Sequence, residues 1–173
     1  MSVKPIVQLG DPRLRLKGDP VESFGRPLHE LLDDLTETMR AAPGLGLAAP
    51  QLGVALQVAV VEVDDRVIEL VNPTIVRTDG NENDLEGCLS IPGYVGYVDR
   101  HEKVWVVAQD RNGKRYRTAG SGLLARALQH EIDHLDGILF IDHLASMDDL
   151  IPVSRLRADQ GLDAEDPALP ALA

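Results

Sequence analysis

The run Ala127-Leu128-Gln129-His130-Glu131-Ile132-Asp133-His134-Leu135 limits the fold more than any other stretch of the chain. Leu124, Leu128, Ile132 and Leu135 recur at helical spacing and predict the buried stripe of a helix from about Gly122 to Asp136. Ser121 is placed to cap its start, and Gly137 falls just past its end. On that helix His130 and His134 lie one turn apart on one side. Leu123 and Ala127 extend their stripe back toward the N-terminus. A fold must therefore bury this helix and still leave its imidazoles something to bind. Histidine pairs on helices are often plain core or surface residues. Glu131 between them shifts the reading, because His-Glu-x-x-His on a helix joins two metal ligands to a proton acceptor.

Two ligands do not hold a catalytic ion. An open site usually has three protein ligands and one exchangeable water. Downstream, Asp142 and His143 are possible thirds but lie past the helix end, and Asp136 points away from the histidine face. The sole cysteine, Cys88, is the better candidate. Its neighbours Gly87 and Ser90 predict an exposed loop that can bend a thiolate inward, against the alternative of a small buried hydrophobe.

The chain has 173 residues, which fits one core. Hydrophobic residues are 44% and aromatics 3%, so that core must be mostly Leu, Val, Ile and Ala. A net charge of −11 argues against a general nucleic-acid footprint, which needs clustered Lys and Arg. One cysteine excludes an intrachain disulfide. The start lacks a secretory layout and no apolar run reaches membrane-spanning length. The expectation is a cytoplasmic protein that binds neither membrane nor nucleic acid directly.

From Pro27 to Ala42, Leu28, Leu31, Leu32, Leu35 and Met39 predict an amphipathic helix ended by Pro43-Gly44. Two β-branched runs flank Asp64-Asp65 and predict a hairpin. "DLEGCLSIPG" reads as irregular. "KVWVVAQD" and "KRYRTAG" predict a second hairpin turning at Asn112-Gly113. A short helix is expected at 146–150. The expected catalytic domain is 1–150, and 151–173, acidic and proline-broken, is expected to be a loose tail. Helices and antiparallel strands are segregated, so the class is α+β.

Three segments in order, "GLGLAAPQ", "EGCLS" and "QHEIDH", resemble the three signature motifs of bacterial peptide deformylases. The resemblance runs from the first helix to near residue 145. It implies antiparallel sheets packed around a central metal-binding helix. It implies an enzyme that hydrolyses the formyl group from formyl-methionyl nascent polypeptides. The ion would be Fe(II) in cells, with Zn(II), Ni(II) or Co(II) able to substitute. Cys88, His130 and His134 would be its ligands and Glu131 the proton carrier. The Gln51 amide and the Leu89 backbone N–H would stabilise the oxyanion.

Gly44, Leu45 and Gly46 would let an extended substrate pair as an added strand. Leu123, Ala127 and the stem of Arg126 adjoin the histidine face and are expected to line a methionine slot. Leu45 and Glu86 are expected at its mouth. Family members that dock on the ribosome by a basic C-terminal helix differ from this acidic tail, so any association would run by another route. The rival reading is a metallopeptidase that cuts internal peptide bonds, which predicts a carboxylate or histidine third ligand. A structural zinc site would need a fourth protein ligand.

Overall fold

A computed structural model describes residues 2–160. Helix α1 (Arg26–Ala41) is followed by β1 (Gly46–Ala48), β2 (Val58–Val63) and β3 (Arg66–Asp79). Then come β4 (Glu82–Cys88), β5 (Ile91–Arg100), β6 (Lys103–Gln109), β7 (Arg115–Ser121) and helix α2 (Leu123–Leu135). Short 3-10 turns at Phe140–His143 and Met147–Asp149 lead to β8 (Ile151–Pro152) and α3 (Val153–Gln160). The strands form two antiparallel sheets, β1-β2-β3-β6-β7 and β4-β5-β8. The α+β expectation holds.

Strand periodicity explains why β2 is an unbroken apolar run. Val58 and Val60 point to one face and pack with Leu32, Leu35 and Met39 of α1. Ala59 and Val61 point to the other and pack with Ala125, Leu128 and Leu135 of α2. The large sheet thus separates the two helices, and β2 is buried on both sides. α2 also reaches the small sheet, where Arg126 bonds to Val98 and His130 to Glu86. A helix held between two sheets has little freedom to shift.

The structure corrects three local readings. "DLEGCLSIPG" is not irregular: it is most of β4, a tight turn at Leu89-Ser90 and the start of β5. Polar residues hid the strand, because Glu86 and Ser90 are buried but hydrogen-bonded to partners far along the chain. Ser121 does not cap α2. It ends β7 paired with Lys103, and Gly122 is the N-cap without a side-chain bond. The chain turns there from strand to helix within one residue, at φ 56° and ψ −127°, a backbone region that favours glycine. Finally, residues 151–160 form β8 and α3, with Val95 pairing Ile151. The remainder of the expected tail, 161–173, lies outside the described residues.

Candidate metal centre and active site

α2 delivers His130, Glu131 and His134 to one pocket, and the end of β4 delivers Cys88 from the other sheet. His130 Nε2 lies 3.2 Å from His134 Nε2, which lies 3.4 Å from Cys88 Sγ. The three ligand atoms all fall within 4.8 Å of one another, and all three residues are buried. In a tetrahedral site with metal–nitrogen bonds of about 2.0–2.1 Å and metal–sulfur of about 2.3 Å, neighbouring donors stand about 3.3–3.6 Å apart. The donor set therefore fits one divalent ion of borderline softness. Cys88 is not on an exposed loop, as its neighbours had predicted. It is the last residue of β4, 6% exposed, held as hydrogen-bond acceptor by Ser90 N–H at 3.4 Å.

Burial pushes the His134 imidazole down to about 4, with His130 adding to the effect, so it is neutral and able to ligate at pH 7. The alternative third ligands are engaged elsewhere. Asp142 pairs with Arg15 and His143 with Asp133. His101 bonds the Gly80 carbonyl through Nδ1. Among the described residues only Cys88, His130 and His134 form such a group.

Glu131 is fully buried, and neither carboxylate oxygen has a hydrogen-bond partner. An orphaned buried carboxylate is costly, and such groups mark a missing polar partner. Burial raises its pKa to about 7, against the opposing pull of His130 and His134. That is where a group that both takes and gives a proton should sit. Gly46 makes the room for it: a Cβ there would fall 2.5 Å from Glu131 Oε1.

Glu86 is not at the mouth of a slot. It is fully buried behind His130, because every oxygen of its carboxylate is claimed. Oε1 accepts from His130 Nδ1–H at 2.6 Å and from Arg100 Nη2 at 2.6 Å. Oε2 accepts from Arg100 Nε and from Arg126 Nη1, both at 3.0 Å. Burial alone would raise its pKa, but His130 and Arg100 outweigh it and hold Glu86 well below the usual carboxylate range. The bond to Nδ1 fixes the tautomer of His130 and leaves Nε2 for an ion. Arg126, expected to lend its stem to the slot, is 3% exposed, and its guanidinium also reaches the carbonyls of Val98 and Glu82.

Gln51 is buried with its amide oriented. Oε1 accepts from Ala48 N–H at 2.8 Å, so Nε2 must face inward, 3.2 Å from Ser90 Oγ and 3.6 Å from Cys88 Sγ. Leu89 is half-buried in the turn beside Cys88. A Cβ on Gly44 would meet its side chain at 2.7 Å, so "GLG" and "CLS" pack directly against each other. Of the remaining expected pocket residues, Leu45 is half-buried, Ala127 is buried and Leu123 is 43% exposed.

Sequence reasoning missed Arg100 and the pair beyond it. Arg100 Nη1 donates to Asp133 Oδ2 at 2.6 Å, and His143 bonds the same oxygen at 2.8 Å. No local pattern marks an arginine whose carboxylates are 14 and 33 residues away. Ser90 was seen only as a loop residue, though it is fully buried against Gln51 and Cys88.

A profile of the polypeptide deformylase family matches residues 3–149. The chain is similar to the peptide deformylase of Heliobacterium modesticaldum, 54% identical over 83% of this chain and 95% of that protein. It is also similar to the crystal structure of a Legionella pneumophila peptide deformylase. That likeness has a TM-score of 0.81 at 44% identity and covers 92% of each chain. A peptide deformylase of Acinetobacter baumannii, crystallised with Met-Ala-Ser bound, has a TM-score of 0.78 at 33% identity, over 83% of this chain and 99% of that one.

Proposed function

This chain belongs to the polypeptide deformylase family, and from that membership we infer that the pocket of Cys88, His130, His134 and Glu131 is its active centre. The family's reaction is hydrolysis of the formamide bond at the N-terminus of new polypeptides, and its enzymes depend on a metal. One observation carries the assignment. A thiol and two imidazole nitrogens converge within ion-holding distance beside a buried carboxylate that has no other partner.

Cys88, His130 and His134 would hold a divalent ion, Fe(II) in the cell, with Zn(II), Ni(II) or Co(II) able to replace it. An ion there supplies the Lewis acidity that lets water attack near neutral pH. Glu131 takes the proton of the attacking water and returns it to the leaving amine. Its pKa near 7 suits both transfers. Charge developing on the formyl oxygen meets Gln51 Nε2 and the Leu89 backbone N–H. The Ala48 N–H holds the Gln51 amide in one orientation, so that donor is set before substrate arrives.

β1 and β4 each lie at an edge of their sheet. An extended peptide would add beside Gly44, Leu45 and Gly46. Its methionine side chain would enter between Leu45, Ala127, Leu123 and the Arg126 stem, with Glu86 bracing the wall from behind. The Met-Ala-Ser held by the Acinetobacter relative, the peptide that deformylation would leave, supports a peptide of this kind in this cleft. The partners are formyl-Met nascent chains, met in the cytoplasm. Among the described residues no helix is long and apolar enough to cross a membrane.

The test is turnover of formyl-Met-Ala-Ser by protein purified anaerobically with Fe(II). Wild type should release free amine. Glu131→Ala should be inert while keeping its metal. Wild type that ignores the formyl peptide yet cleaves casein would overturn the reading.

A further inference from the structure

The net charge of −11 is an average, and it conceals one face of opposite sign. Strand pairing places Arg77 opposite Trp105, Trp105 opposite Ala119, Val107 opposite Arg117, Gln109 opposite Arg115 and Lys103 opposite Ser121. Directly paired residues share a face of a sheet. Their neighbours Val104, Val106 and Ala108 point to the other face and pack under α2. So Lys103, Trp105 and Val107 look outward from the β3-β6-β7 end of the large sheet, beyond the part that α1 covers. Arg77, Lys103, Arg115 and Arg117 are all exposed there.

Among the described residues Arg66, Arg77, Lys103, Lys114, Arg115, Arg117 and Arg155 form no ion pair, and four of them gather on this face. Lys4, Arg13, Arg15, Lys17, Arg26, Arg40, Arg100, Arg111 and Arg126 are each paired with a carboxylate. Asp79, cross-strand from Lys103, is the one acid within the face, with Glu102 and Asp110 at its rim. Trp105 is the chain's only tryptophan, half-buried, and the Arg77 guanidinium lies over its ring at 4.5 Å. Beside it a hollow of about 410 Å³ is lined by Asn72, Thr74, Val76, Val107, Gln109 and Arg115, large enough for one nucleotide.

The geometry points to this sheet face as a binding site for single-stranded RNA. Unpaired arginines on a strand surface match the spacing and forked geometry of phosphate recognition. A guanidinium stacked on an indole offers a flat platform for an unstacked base. The hollow beside it, walled by Thr74, Val76 and Val107 with Arg115 at its edge, leaves room for a base next to that platform. An acidic polypeptide would satisfy the charges but leave the platform and the hollow without purpose. The face is separate from the metal pocket, so this inference does not depend on the catalytic reading.

Because Trp105 is alone, its fluorescence reports on the face directly. Titrate the full chain with a uridine 15-mer at low salt, and follow a labelled copy by anisotropy. Binding should quench Trp105. Affinity should fall about 50-fold between roughly 50 and 200 mM salt, the slope for four phosphate contacts to a single strand. Arg115→Glu/Arg117→Glu should weaken binding at least about tenfold and leave formyl-peptide turnover unchanged. If the double variant misfolds by circular dichroism, Arg117→Gln, a milder change, should still weaken binding and lower the salt slope by about 0.7. The inference fails if RNA does not quench Trp105 at low salt, or if folded variants bind as wild type does. It fails equally if polyglutamate or phosphatidylglycerol vesicles bind as tightly as RNA.

Discussion

Replacing Gly46 by alanine should silence the enzyme while sparing its fold and its metal. The new Cβ would lie 2.5 Å from Glu131 Oε1, 2.7 Å from Cγ and 2.8 Å from Cδ. Ordinary carbon contacts begin near ~3.5 Å, so the carboxylate must retreat by about 1 Å. It is fully buried on a helix held between two sheets, so the retreat moves the proton acceptor itself. A misplacement of about 1 Å costs on the order of 10²-fold in rate. Overpacking should cost about 1–3 kcal/mol of stability, partly offset by the lower chain entropy of alanine in a strand. Gly46 is not among the positive-φ glycines, so its backbone accepts the change. The assay is kcat on formyl-Met-Ala-Ser, with metal content by mass spectrometry and urea unfolding alongside. Gly25→Ala is the control, since a Cβ there would meet nothing closer than Pro27 Cδ at 3.8 Å. A folded, metal-loaded Gly46→Ala enzyme working within about threefold of wild type would refute the placement of Glu131 as the working base.

Glu86→Gln should weaken metal binding by about 10–100-fold, read by competition with a chromophoric chelator, because His130 loses the anion that orients it. Leu35→Ala, at a site with no exposure between α1 and β2, should cost about 2–5 kcal/mol in urea unfolding and leave kcat intact. Tyr116 is pushed up to about 12 by burial and by the charges of Glu69 and Asp110, and its hydroxyl donates to the Glu69 carbonyl. Its folded value exceeds the ordinary ~10, so the unfolded chain loses this proton first. The associated stability is full below about pH 10 and is lost as pH rises toward 12. Discounted for the part-exposed ring, it is on the order of 1 kcal/mol. Phenolate absorbance should show a step near pH 12 that Tyr116→Phe removes.

Helical and β-branched periodicity made α1, the β2-β3 and β6-β7 hairpins and α2 legible, because each buries apolar residues at a fixed repeat. β4 and the start of β5 escaped. Their inward positions include Glu86, Cys88 and Ser90, which are tolerable inside only because partners from β5, α2 and the Gln51 turn meet them. Period alone cannot see such partners. The ligand histidines and Glu131 were readable because one helical turn encodes their geometry. Cys88 was found by being alone, though its setting was misjudged. The Glu86–Arg100–Asp133–His143 chain was invisible, since its members are brought together only by the packing of two sheets on α2.

X-ray absorption at the metal edge of the zinc-loaded protein tests the central claim most directly. Cys88, His130 and His134 as ligands predict one sulfur at about 2.3 Å and nitrogen or oxygen neighbours at about 2.0–2.1 Å, with imidazole scattering from two rings. Cys88→Ser should remove the sulfur shell. A first shell of nitrogen and oxygen alone in wild type would contradict the account.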